Sequence, residues 1–287
     1  MNRINLSAIW NTARSELIKW MTNPRVIIIG VMLVFIRGFA AAPLLERAGK
    51  YGEPLNVLEP FIAVCNSGTL VMLMPCVFLL LISDIPIMGG NTMFFISRIG
   101  RLNWFLGQVF FIIMSIFSYI GFILVSCMVM SKGVFSSNWS DSISKYDAVF
   151  PNDAGGTASE LLPSNLYNQM EIIAAFIQIS LLLSMYLFLL EMLLCMMKML
   201  SLRGAGLFTV FTVIALGVTT CALEVKSMWY FPMANTIVWL HNTELLREPI
   251  TPVTDSFIYF TATITAVLIA DLTILQRLQF ISTVQED

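Results

Sequence analysis

The amino-acid sequence predicts an all-α integral membrane protein with about six transmembrane helices, preceded by an amphipathic elbow helix at the membrane interface. Two compositional observations and one length observation predict this class. Of the 287 residues, 57% are hydrophobic and only 12% are charged, whereas soluble domains carry about 25% charged residues. The apolar residues form long runs, and a run of about 20 residues crosses a hydrocarbon layer of about 30 Å as a helix.

Six apolar segments are long enough to span a membrane. They are residues 26–45, 61–83, 102–130, 172–197, 205–222 and 256–276. Together they predict one transmembrane domain covering residues 25–287. The first segment contains Arg37 and the fourth contains Glu191, so both are less apolar than the others. A five-helix arrangement, or a first segment that re-enters the membrane, is therefore the alternative.

Residues 1–24 predict a different kind of helix. Apolar residues recur there at spacings of three and four, and polar residues occupy the other side. The apolar positions are Leu6, Trp10, Ala13, Leu17 and Met21. Such a helix lies in the plane of the interface with its apolar face in the lipid. The alternative is an ordinary cytoplasmic helix that packs on protein.

The basic residues predict that both termini face the cytoplasm of a multi-pass plasma-membrane protein. The inner segments hold nine of the sixteen Lys and Arg residues although their connections are short, as the positive-inside rule requires. In this orientation the connection 84–101 is inner, and the connections 131–171 and 223–255 are outer. The first outer connection predicts a flexible loop or a small cap. The second is rich in apolar and aromatic residues and predicts one or two short helices at the outer interface.

The inner connection between the second and third spans has the features of a protein-docking element. Gly89 and Gly90 break the preceding helix, and residues 92–99 predict a short amphipathic helix. A compact helix with exposed apolar residues at a cytoplasmic edge suits contact with another protein. The candidate contact residues are Phe94, Phe95, Arg98 and Arg101.

This layout resembles the type-2 permeases of ATP-binding cassette (ABC) exporters. In that family an interfacial elbow helix precedes the first span, and an inner loop after the second span ends in a Ser-Arg-type turn before a Gly-Lys or Gly-Gln pair. Ser97, Arg98, Arg101, Gly107 and Gln108 fit this pattern here. The layout covers nearly the whole chain, and the motifs cover about 25 residues.

The resemblance implies that the inner loop is a coupling helix that meets an ATPase subunit. It also implies a dimer with a second permease, identical or related, around a substrate path lined by the second and fifth spans. The chain has no GxxxxGK phosphate-binding loop, so ATP and Mg²⁺ are expected in the partner ATPase and no cofactor is expected in this chain.

Two ionisable residues lie inside predicted spans. Arg37 is deep in the first, where an unpaired charge costs about 2.5–3.5 kcal/mol, so we expect it to face the bundle interior or to reach outward to an interface. Glu191 lies about two turns from Lys198 in the inner half of the fourth span. For both Arg37 and Glu191 the alternatives are a role in gating or subunit contact, and an internal ion pair that fixes the packing of the helices. Asp271, near the inner end of the last span, is interpreted as an interfacial residue.

The sequence offers no catalytic site and no metal site. Its single histidine, His241, lies in an outer connection and is interpreted as an interfacial residue, so a histidine-based dyad or metal site within the bundle is not available. The absence of a basic patch or tail argues against a nucleic-acid partner, and lipid is an expected partner. Two other classes stay open, namely an ion-coupled secondary transporter or channel, and a non-transporting assembly or sensor subunit.

Overall fold

The computed structural model describes residues 4–277 apart from 85, 87–89, 154, 201 and 244–248, with the backbone alone at 90–94, 203 and 277. The described chain is helical and contains no strand, only two isolated β-bridges. Five helices are long and apolar enough to cross a membrane, and a bent helix pair makes a sixth if it counts as one span. The predicted fold class is therefore confirmed.

The helices follow the predicted segments closely. In chain order they are α1 Leu6–Met21, α2 Ile27–Ile36, α3 Ala42–Tyr51, α4 Glu59–Asn66, α5 Gly68–Ile82, α6 Gly90–Ile99, α7 Arg101–Ser131, α8 Asp141–Ser144, α9 Tyr146–Val149, α10 Thr157–Leu161, α11 Ser164–Tyr167, α12 Ile172–Met199, α13 Arg203–Ala222, α14 Pro232–Thr236 and α15 Val253–Arg277. Helices α2 and α3 belong to one continuous span, Pro24–Tyr51, joined through a π-helical segment, Arg37–Ala41. We call the end of the bundle that carries residues 131–171 the cap end, and the opposite end the α6 end.

Helix α12 forms the centre of the bundle. It packs against α4, α5, α7, α13, α14 and α15, and its side chains from Leu182 to Leu194 are largely buried. The outer surfaces of α7 and α13 keep exposed apolar residues such as Phe117 and Phe208. Such surfaces suit lipid, in which a helix satisfies all its backbone hydrogen bonds internally.

The elbow helix α1 combines the two arrangements that its sequence left open. Thr12, Ala13 and Trp20 are buried because α1 packs along the first part of α7. Leu6 and Met21 are exposed, so an apolar strip remains available for lipid. The helix therefore rests on protein with one side and keeps another for the interface.

The close approach of α1 to α7 depends on Gly107. A Cβ atom at this position would lie 2.7 Å from Thr12 Cβ and 3.3 Å from Ile9 O. We expect Gly107→Ala to destabilise the protein by about 1–3 kcal/mol, because the two helices must move apart. Gly121 lies further along α7 with nothing within 4 Å of such a Cβ, so Gly121→Ala is expected to stabilise by about 0.5–1 kcal/mol through helix propensity.

Thermal unfolding of the two variants in the same detergent measures this difference. Unfolding temperatures that rise equally in both variants would contradict the contact between α1 and α7.

The second predicted span is broken into two helices, which its hydropathy does not predict. Helices α4 and α5 meet at an angle of 82°, with Ser67 between them in an extended conformation. All eight residues of α4 are buried, so its backbone is covered by protein where it leaves the direction of the span. The signal in the sequence was the polar triplet Asn66-Ser67-Gly68 inside an apolar run.

The connection 131–171 folds into a small cap instead of a flexible loop. It contains the short helices α8, α9, α10 and α11. Trp139 Nε1 donates a hydrogen bond to Met170 O at 2.8 Å, which joins the two ends of the cap. A backbone bridge between Asn56 and Val134 joins its start to the loop before α4.

The connection between α13 and α15 differs from its predicted position. It contains the short helix α14 with 3₁₀ turns at Lys226–Tyr230 and Val238–His241, as expected. However, α14 is entirely buried and packs against α5, α12, α13 and α15 instead of lying at the interface. The apolar residues of α14 face protein, which hydropathy alone does not distinguish from a lipid interface, whereas Tyr230 in the preceding 3₁₀ turn is exposed.

Candidate functional site

Helix α6 is the element that the sequence analysis selected for contact with a partner, and the structure places it between two spans. The expected helix over residues 92–99 is confirmed as α6. Ile96 is buried against the bundle, whereas Arg98 and Phe95 are exposed, Phe95 by 45%. The Phe94 side chain lies outside the described part of the structure. The exposed pair thus forms an apolar and basic surface on a short helix.

A glycine sets the angle between α6 and α7. Gly100 has φ +87°, a backbone conformation that residues other than glycine rarely adopt. Asn103 Nδ2 donates to Ile99 O at 2.8 Å and so satisfies one of the last carbonyls of α6. Ser97 and Arg98 therefore lie in the final turn of α6, and the chain turns at Gly100 and not at these two residues.

The base of α6 is joined to the elbow helix and to the last span. The backbone N–H of Asn5, the N-cap of α1, donates to Asn103 Oδ1 at 3.0 Å. Arg101 Nη1 donates to Gln276 O at 3.2 Å. Arg101 therefore bonds to the last span and anchors the junction between α6 and α7 to the bundle. Its predicted contact with a partner, like that of Phe95 and Arg98, stays a prediction.

A third connection joins the start of the first span to the end of α5. Arg25 Nη1 lies 2.7 Å from Asp84 Oδ2 and also donates to Ser83 Oγ at 3.0 Å. Both charged side chains are about half exposed, so the pair adds at most about 1 kcal/mol of stability. Its consequence is positional, because it couples the chain that precedes α6 to the first span.

Arg37 does not face the interior of the bundle. It is exposed at the middle of the span Pro24–Tyr51, where the π-helical segment begins. No hydrogen bond or ion pair within the described residues engages it. The rings of Phe35 and Phe39 stack beside it with centroids 5.9 Å apart. The bundle therefore presents a charge at membrane depth on its outer surface.

Glu191 lies in a buried cluster of ionisable groups at the contact of α12 and α15. Glu191, Cys195 and Lys198 share one face of α12, and Asp271 on α15 acts electrostatically on the same Cys195 thiol. Glu191 and Asp271 are completely buried. Among the described residues, none of their four carboxyl oxygens has a hydrogen-bond partner. Four unfilled acceptors in an apolar surrounding leave this cluster with unused hydrogen-bonding capacity.

The structure therefore corrects the interpretation of Asp271 as an interfacial residue. Its helix does end close by, but α12 and α15 pack against each other and the Asp271 side chain is completely buried. The signal in the sequence was positional: Glu191 and Asp271 lie at similar distances from the same end of two spans.

Within the described chain, no group of three or more His, Cys, Asp or Glu side chains is arranged to hold a metal ion. Neither the family models nor the curated proteins that were compared with this chain match it. The fold defines the class, a multi-pass helical membrane protein.

Proposed function

We propose that this chain is the membrane-spanning permease subunit of an ABC exporter, which moves a substrate by alternating access powered by a separate ATPase subunit. The observation that supports this proposal most directly is α6, a short helix between two spans that exposes Phe95 and Arg98. An exposed apolar and basic surface on a fixed helix suits a protein partner. In this proposal ATP and Mg²⁺ bind to the partner, and this chain carries no catalytic residue.

The anchors of α6 provide a route for motion. A displacement of α6 reaches the elbow helix through Asn103, the first span through Asp84 and the last span through Arg101. Binding of ATP to the partner would move α6, and these connections would transmit the motion to the bundle. The α6 end then faces the cytoplasm, together with both termini, in a plasma membrane.

A second permease, identical or related, accounts for the exposed Arg37. A charge at the centre of a bilayer costs about 2.5–3.5 kcal/mol on insertion scales. Contact with another permease along the Phe35, Arg37 and Phe39 surface would remove this charge from lipid. The proposed assembly thus contains two permease chains and the ATPase subunits that contact α6.

The proposal predicts that a cytoplasmic ATPase co-purifies with the tagged chain and depends on α6. We expect the double substitution Phe95→Ala and Arg98→Glu to lower the recovered ATPase at least tenfold, because it removes an apolar anchor and reverses a charge at the contact. The measurement is affinity purification in mild detergent followed by identification of proteins that bear a GxxxxGK loop.

The matched control is Phe135→Ala with Lys226→Glu, an exposed aromatic residue and an exposed cation at the cap end. This control should retain the ATPase. A wild-type chain that purifies with no ATPase, or equal losses in both double variants, would contradict the proposal.

The buried carboxyl groups favour a second candidate, an ion-coupled secondary transporter or channel. Buried ionisable residues within spans often mark ion or proton pathways, and Glu191 and Asp271 have unfilled hydrogen-bonding capacity. Flux measurements in proteoliposomes without nucleotide separate the two candidates. Ion-driven flux that Glu191→Gln and Asp271→Asn abolish would favour the secondary transporter.

A further inference from the structure

The single histidine takes part in a buried chain of hydrogen bonds at the cap end. His241 is completely buried, which corrects its interpretation as an interfacial residue. Its Nδ1 atom lies 3.0 Å from Ile237 O, and its Nε2 atom lies 2.8 Å from Ser256 Oγ on α15. Ser256 Oγ lies a further 2.8 Å from Asn235 Oδ1. Four residues from two segments thus form one continuous polar chain.

The orientation of Asn235 follows from its other contacts. Its Nδ2 atom donates to Trp229 O at 2.8 Å and to Phe231 O at 3.0 Å. Both partners are carbonyl oxygens, which only accept, so the amide nitrogen must face them. Asn235 therefore presents its oxygen to Ser256, and this oxygen needs a donor.

When the His241 ring is neutral, this series of hydrogen bonds has one hydrogen too few to fill every donor position. Ile237 O only accepts, so the ring hydrogen belongs on Nδ1. Ser256 has a single hydroxyl hydrogen, which can reach His241 Nε2 or Asn235 Oδ1 but not both. In either case two lone pairs face each other at 2.8 Å. A protonated ring donates from Nε2 to Ser256 and leaves the hydroxyl free to donate to Asn235.

We propose that His241 is a proton-binding site that switches the segment 229–241 between an incomplete and a complete set of hydrogen bonds to α15. The same segment also bonds to Asn66, the last residue of α4, at the break in the second span. The backbone N–H of Val238 donates to Asn66 Oδ1 at 2.8 Å, and Trp239 Nε1 donates to Asn66 O at 3.0 Å. Protonation at His241 therefore acts on the joint between α4 and α5. This switch goes beyond the proposed permease role and does not depend on it.

The surroundings of His241 set the direction of its titration. Burial lowers the pKa of His241 below the usual value, while hydrogen bonds to the Ile237 and Val238 carbonyls and the charge of Asp255 act in the opposite direction. The neighbouring ends of the described elements that pack against this segment also carry Tyr167, Glu171, Lys226, Tyr230 and Tyr259, and the far halves of α12 and α15 carry Glu191, Lys198 and Asp271. None of these acts on the ring as a charge.

The lowered pKa fixes the sign of the pH effect. As the pH falls through about 6.5, the unfolded chain binds the proton before the folded chain does. The contribution of His241 to the free energy of unfolding is therefore fully present above about pH 6.5 and is lost as the pH falls below it. Within the folded state, the proton binds below about pH 6.5 and completes the chain of hydrogen bonds.

Nuclear magnetic resonance of the ring nitrogens tests the switch directly. Because the chain has one histidine, ¹⁵N-labelled histidine in a chain without a histidine tag gives a single pair of ring signals in lipid nanodiscs. We expect one protonated nitrogen, Nδ1, at about pH 7.5 and two at the acidic end of the pH range in which the protein stays folded, with a midpoint below the ordinary value of about 6.5. A folded chain whose ring keeps one proton throughout this range would overturn the proposal, as would a neutral ring protonated on Nε2.

A substitution on α15 tests the role of the hydroxyl group. Ser256→Ala removes the acceptor of the second ring proton, so the midpoint should fall by about 1–2 pH units. Thr261→Ala is the matched control, because this exposed hydroxyl on the same helix bonds only Phe257 O, and its midpoint should not change. An unchanged midpoint in a folded Ser256→Ala chain would contradict the proposal. The wild-type titration remains decisive if that variant does not fold.

Discussion

Replacement of Arg47 by methionine is expected to destabilise the protein by about 3 kcal/mol and to release the cap from the first span. The guanidinium is only 5% exposed and lies 2.9 Å from Asp147 Oδ1. It also donates to Ser142 O at 3.1 Å and to Ile143 O at 3.3 Å. A methionine would fill much of the volume but would leave two carbonyls without this donor and the Asp147 carboxylate without its cation.

The control for this substitution is Lys50→Met, one turn further along the same helix. Lys50 pairs with Glu46 and Asp153, but its side chain is 49% exposed, so its loss should cost at most about 1 kcal/mol. The measurements are thermal unfolding and limited proteolysis of the cap in detergent. Equal unfolding temperatures for the two variants would contradict the anchoring role of Arg47.

Glu59→Ala is the second substitution with a large expected effect, a loss of about 2–5 kcal/mol. Glu59 begins α4 and is completely buried. Its carboxylate accepts from the Asn56 N–H at 2.9 Å, the Ser140 N–H at 2.7 Å and Ser140 Oγ at 2.9 Å. Alanine would leave two backbone donors unsatisfied at a buried junction between the cap and the broken span, and each such donor costs about 1–3 kcal/mol.

Glu53→Ala provides the comparison, because Glu53 is an exposed acidic residue in the same connection. Its effect should stay within about 0.5 kcal/mol. Chemical or thermal unfolding of both variants gives the difference in free energy. A Glu59→Ala protein as stable as the Glu53→Ala protein would show that water or a rearranged loop replaces the carboxylate.

These two anchors explain why the connection 131–171 is a folded cap. A flexible loop would lose less conformational entropy on folding, but it would leave the Arg47 and Glu59 side chains without hydrogen-bond partners. The cap supplies those partners from Ser140 and Asp147, and the buried Arg47 and Glu59 side chains are satisfied as a result. The cap is therefore part of the fold.

The predictable part of the candidate site is α6 itself. Gly90 and the amphipathic pattern before Gly100 are local features, and both predicted the helix and its exposed Phe95 and Arg98. Its anchors could not be predicted in the same way, because Arg101 reaches Gln276 and Asn103 reaches Asn5 across large sequence separations. Local patterns contain no information on which distant atoms meet.

The sequence by itself determined the class of protein and the positions of the spans. Lipid offers no hydrogen bonds, so apolar runs of this length fold as helices whatever their neighbours are. Only the tertiary structure decided the fate of the polar residues within and beside them: Ser67 bends the second span, Asp271 and His241 are buried, and Arg37 faces outward. The physical reason is that the free energy of a polar group depends on its partners, and these come from other helices.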